Sequence, residues 1–84
     1  MQLTLYTKPG CHLCDLLKAD LAGLQREISF TVVERNIEAD PADYERFRYL
    51  IPVLAVGETL LYPPHDLMQV RRALLDAAGR PTAR

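Results

Sequence analysis

A change of period near the N-terminus constrains this chain more than any other feature. In QLTLYT, Gln2 to Thr7, apolar and polar residues alternate, and Leu3, Leu5 and Tyr6 supply the bulk of a half-buried strand. Shortly afterwards the spacing is different. Leu13, Cys14, Leu17, Leu21 and Leu24 recur at intervals of three and four, while Asp15, Lys18, Gln25 and Arg26 fall elsewhere, which is the pattern of an amphipathic helix. Lys8, Pro9 and Gly10 separate the two patterns, because proline cannot extend a ladder and glycine accepts turn geometry. A strand therefore runs almost directly into a helix, and the chain's two cysteines, Cys11 and Cys14, open that helix.

The remaining segments supply partners for this unit. ISFTVVER, Ile28 to Arg35, is rich in β-branched and aromatic residues and reads as a second strand. In DPADYERFRYL, Asp40 is an N-cap, Pro41 takes the first helical position, and the helix runs to about Tyr49. PVLAV, the pair Gly57 and Glu58, and TLLY read as a tight hairpin. HDLMQVRRALLDAAG closes the chain with Asp66 as N-cap, Leu67, Val70, Leu74 and Leu75 on one face, and Gly79 as the stop. The order β-α-β-α-β-β-α predicts an α/β fold: a four-stranded mixed sheet, with three helices covering both faces. With 84 residues there is room for one core. We expect one domain over residues 1–79 and a flexible tail over 80–84.

Charge removes several function classes. Ten lysines and arginines nearly balance eleven aspartates and glutamates, so no nucleic-acid partner is expected. Arg71, Arg72, Arg80 and Arg84 read as the solvated end of a helix plus the tail, since cations favour helix C-termini. No uncharged apolar run approaches the roughly 18 residues of a membrane span. The opening MQLTLYTKPG lacks the basic and long apolar regions of a signal peptide. A cytoplasmic monomer without membrane contact is the expectation. In a reducing compartment structural disulfides are rare, so a lone C-x-x-C points to redox catalysis or to a metal.

Physics gives the two sulfurs unequal roles. At the start of a helix, Cys11 lies near unpaired backbone N–H groups and the positive end of the dipole, where cysteine pKa values of about 3.5 to 7.5 occur. Lys8 and His12 would add positive charge beside it. Cys14, one turn further in on the apolar stripe, should stay protonated until used. Cys11 is thus the candidate nucleophile and Cys14 the candidate resolving thiol. A metal module built on the same cysteines, with His12 or His65, is the rival reading. Structural zinc needs four ligands, commonly as two close pairs. This chain offers one pair, and neighbouring side chains on a helix point about 100° apart, which sets Cys11 and His12 poorly for one ion. A partner-binding module without redox activity is a third reading.

Tyr6, Lys8, Cys11 and Cys14 in LYTKPGCHLC, followed by Ile51 and Pro52 in LIPVLAV, resemble the glutaredoxins, and more closely the compact glutaredoxin-like proteins of the thioredoxin superfamily. The resemblance spans almost the whole chain and implies a thioredoxin-like fold. It also implies a cis bond before Pro52, which would face the nucleophilic sulfur, and a substrate contact through the backbone of Ile51. By the same resemblance, the partners are protein disulfides and a cellular reductant, either glutathione or a thioredoxin system. No resident cofactor is expected, and glutathione would act as a reductant without tight binding. The resemblance also leaves open an iron-sulfur cluster held between two chains.

Departures sharpen the expectation. Thioredoxins carry a tryptophan before the first cysteine and a buried carboxylate six residues before it; here those positions hold Gly10 and Leu5. Most dithiol glutaredoxins have C-P-Y-C and a glycine pair that admits glutathione. This chain has C-H-L-C, and Tyr62, Pro63 and Pro64 stand at the glycine pair. Two prolines remove backbone donors and stiffen that loop. Asp66 matches the acidic glutathione-binding position, but capping the last helix is a sufficient reason for it. Tyr6 is expected to pack against the sheet rather than touch substrate.

Overall fold

The computed structural model describes residues 1–79, so the expected tail over 80–84 lies outside the described residues. Strand β1 (Gln2–Thr7) occupies the interior of the sheet and carries its mixed character. It pairs in parallel with β2 (Thr31–Asn36) and antiparallel with β3 (Val53–Val56), and β4 (Thr59–Leu61) closes the other edge, in the order β2-β1-β3-β4. Helices α1 (His12–Leu24), α2 (Pro41–Phe47) and α3 (Leu67–Ala78) complete the order β-α-β-α-β-β-α, the α/β thioredoxin-like arrangement expected.

Side-chain alternation on β1 divides the molecule into two layers of core. Leu3 and Leu5 are fully buried on one face and meet Leu17, Leu21 and Leu24 of α1, Val70 and Leu74 of α3, and Leu54 and Val56 of β3. On the other face Ile37, Phe47 and Val53 form a smaller cluster, with Tyr6, Ile51 and Leu60 packed against it. The Tyr6 and Phe47 rings lie 4.5 Å apart, the packing role expected of Tyr6. Eleven buried residues stand on the first face against three on the second. At about 1.5–3 kcal/mol for each large apolar side chain buried, the α1–α3 face carries most of the stabilisation.

Local chemistry fixes the ends of the elements. Asp40 caps α2 by accepting from the N–H of Ala42 and Asp43, with Pro41 at the first helical position. Asp66 caps α3 by accepting from the N–H of Met68 at 2.8 Å. Gly57 holds φ 61° in the two-residue hairpin turn, where a side chain would be strained.

Three expectations need correction, and one short element went unforeseen. The second strand begins at Thr31, not Ile28. The Ile28 N–H is spent on the Leu24 carbonyl as α1 ends, and pairing starts only where β1 offers Gln2 as a partner. Ile28 and Phe30 are buried, but in the turn before the strand. Helix α2 stops at Phe47 rather than Tyr49, because the N–H groups of Leu50 and Ile51 both turn back to the Phe47 carbonyl. Leu13 is exposed and lies off the buried stripe of α1, and Leu67 and Leu75 are likewise exposed on α3, where Val70 and Leu74 alone are buried. A 3-10 turn over Ile37–Ala39, capped by Asn36, had no periodic signal. No helix among the described residues is long and apolar enough to cross a membrane.

Candidate active site

The Lys8–Gly10 break does its work through Gly10, whose φ of 80° belongs to the left-handed region. The turn brings the Cys11 N–H back to the Lys8 carbonyl at 3.3 Å and leaves Cys11 as the N-cap of α1. Its Sγ accepts the Cys14 N–H at 3.1 Å, so sulfur takes the place of the usual capping oxygen on one of the helix's unpaired donors. Cys14, one turn on, is 2% exposed, whereas Cys11 is partly open to solvent. The two are joined as a disulfide across a Cα–Cα distance of 5.2 Å, within the span that such a bond accepts.

Two unlike recesses lie along the helix that this pair opens. One, of about 260 Å³, is polar: Lys8, Asp15, Lys18, Glu34 and Asn36 line it together with Cys14. Lys18 bridges Glu34 at 3.4 Å and Asp15 at 3.5 Å. The hydrogen bond that Lys18 donates to Glu34, followed by the negative charge of Glu34, raises the Lys18 pKa above its ordinary value. The other recess, of about 480 Å³, is mostly apolar, with Leu13, Leu16 and Leu17 of α1 on one wall and Pro52, Pro63 and Pro64 on the other. Asp20 and His65 complete its lining.

Proline geometry and one hydrogen bond build the second wall. The Ile51–Pro52 bond is cis, as the resemblance implied, and the Pro63–Pro64 bond is also cis. Pro52 is fully buried, and its carbonyl accepts from His65 Nε2 at 2.7 Å, which ties the loop before α3 to the start of β3. Sequence reasoning considered His65 only as a metal ligand. Nothing local could have paired it with a carbonyl thirteen positions away. A second unforeseen feature is Arg35, which reaches Asp43 at 2.6 Å and Asp40 at 3.1 Å and lies 5.8 Å from the centre of the Tyr6 ring. Its pKa is raised, first by the hydrogen bond to Asp43.

The predicted residues converge incompletely. Cys11 and Cys14 are bonded, Lys8 lines the polar recess beside Cys14, and Pro52 lines the apolar one. His12 is exposed at the start of α1. Ile51 packs against the smaller core, and its N–H donates to Phe47, so a strand-like contact there would use the carbonyl. Among the described residues, no three His, Cys, Asp or Glu side chains form a group that could hold a metal ion.

Comparison with known proteins agrees with this geometry. The family model of the glutaredoxin-like domain matches residues 2–75. The X-ray structure of Northeast Structural Genomics target protein XcR50 from X. campestris is 36% identical, covers 94% of this chain and 99% of its own, and superposes with a TM-score of 0.69. No curated protein matches the chain.

Proposed function

Because the chain belongs to the glutaredoxin-like domain family, we propose that it is a thiol-disulfide oxidoreductase whose Cys11–Cys14 pair exchanges with disulfides of other proteins. One observation carries the reading: Cys11 caps a helix at a partly open position, and its partner Cys14 is buried one turn behind it. Helix N-H groups and the dipole stabilise a thiolate at Cys11, and desolvation disfavours one at Cys14.

In the reduced protein the Cys11 thiolate attacks one sulfur of a substrate disulfide. A mixed disulfide forms, and the other substrate sulfur leaves as a thiolate. Cys14 then loses its proton and attacks the Cys11 sulfur. The Cys11–Cys14 bond forms as the mixed disulfide breaks, and the second substrate sulfur departs. Two electrons and two protons pass from the dithiol to the substrate. A cellular dithiol of the thioredoxin type, or two glutathione molecules, supplies two electrons and two protons to restore the pair. Lys8 adds positive charge near Cys11, His12 stands next to it at the start of α1, and the Ile51 carbonyl, beside Pro52, pairs with the substrate backbone. The reaction needs no resident cofactor, and the protein works as a cytoplasmic monomer.

Glutathione is a reductant here and a poor specific ligand, since Tyr62, Pro63 and Pro64 stand where typical dithiol glutaredoxins have glycines. Reduction of insulin disulfides, run beside turnover of a small glutathione mixed disulfide, tests both statements. Insulin reduction should depend on the protein and exceed its activity on the glutathione disulfide. No insulin reduction would defeat the oxidoreductase reading, and a strong preference for glutathione would defeat the substrate assignment.

A further inference from the structure

Leu13 and Leu16 are 55% and 50% exposed on α1, and the buried stripe of Cys14, Leu17, Leu21 and Leu24 is complete without them. They form one wall of the apolar recess, which is large enough for a side chain and its flanking backbone and reaches the C-x-x-C through Leu13. The opposite wall is proline, which offers no backbone donor to an anionic ligand. Asp20 is the charged group in the lining, and among the described residues no lysine or arginine shares it. A ligand with free carboxylates would meet an aspartate and three donor-free prolines. An apolar side chain would find leucine and proline, and a following cation would find Asp20.

We infer that this groove selects polypeptide substrates with an apolar side chain next to the target cysteine and a basic residue beyond it. His65 is the positioning residue that holds the proline wall through the Pro52 carbonyl. The inference rests on the exchange reading above and names the substrate class for it. Glutathione offers no apolar side chain, so discrimination arises from the groove as well as from the lost glycines.

The test uses three disulfide-linked peptides of equal length, with Leu-Lys, Ser-Lys or Leu-Glu following the cysteine, and compares kcat/KM. The wild-type protein should prefer Leu-Lys to Ser-Lys by about tenfold, the scale of one buried apolar side chain. It should prefer Leu-Lys to Leu-Glu by a few-fold, as expected for one partly exposed charge pair. Leu16→Ser should bring the first ratio toward one, and Asp20→Lys should invert the second; both positions are exposed, so the fold does not depend on them. His65→Ala should raise KM for Leu-Lys several-fold with kcat little changed, and His65→Gln, which keeps a donor, should recover most of the loss. Equal use of all three peptides by the wild-type protein would overturn the groove assignment while leaving the exchange reading intact. Failure to reduce any of them would overturn both. Equal KM in His65→Ala and the wild type would remove His65 from the proposal.

Discussion

The two flanks of the helix that the Cys11–Cys14 pair opens differ in polarity and in size. On one, Asp15 and Lys18 join Glu34 around a small polar recess; on the other, Leu13, Leu16 and Asp20 join the prolines around an apolar groove of nearly twice the volume. Folding accounts for the first flank, where charges solvate α1 and cover the edge strand β2. It does not require the second. The core already has Leu17, Leu21 and Leu24, so the exposed leucines beside the disulfide call for a functional reason, and substrate binding supplies one.

Leucines at neighbouring positions offer the largest way to break this contrast. Leu17 serves both core and groove, and Leu17→Ala should lower unfolding stability by about 2–5 kcal/mol in urea titration. Leu16→Ala, on the exposed side, should stay within about 0.5 kcal/mol. A comparable loss at Leu16 would make it a core residue and erase the distinction. Next in size is Gly10, whose φ of 80° underlies the placement of Cys11. Although a methyl group there would meet nothing within 4 Å, Gly10→Ala should cost about 1–2 kcal/mol through the left-handed backbone alone. Asp66→Ala should follow at about 1 kcal/mol, the loss of the single N-cap of α3.

The polar flank should yield the smallest effect. Lys18 has its pKa raised by Glu34, so its ion pairs are fully present below the ordinary lysine range and are lost as pH climbs through the raised value. Lys18→Met should therefore change the urea midpoint slightly at neutral pH and less in strong alkali, with the difference also shrinking in high salt. A difference that grows with pH would contradict the ion-pair origin.

Much of this architecture was legible because it is local. The period change at Lys8–Gly10, the Asp40 and Asp66 caps, and the Gly57 turn each depend on a few adjacent residues, and each appears where the chain predicts it. What was hidden depends on distance. Ile28 and Phe30 carry strand-like chemistry, yet only the start of β1 decides where pairing begins. The Arg35 clamp needs β2 set beside α2, and the His65 bond to Pro52 needs two loops brought together by β3 and β4. Leu13 fits the helical period, yet the folded helix buries Cys14, Leu17, Leu21 and Leu24 and leaves Leu13 exposed. The cysteine pair could be found in the chain, whereas the groove beside it required the folded form.

The division of labour between the two sulfurs can be measured directly. The reduced protein would be alkylated with limiting iodoacetamide just below neutral pH and mapped by peptide mass spectrometry, and a Cys14→Ser variant would be mixed with a protein disulfide. Cys11 should label well ahead of Cys14, and the variant should accumulate a mixed disulfide at Cys11 that dithiothreitol releases. Faster labelling of Cys14, or no trapped species in the variant, would contradict nucleophilic attack by Cys11.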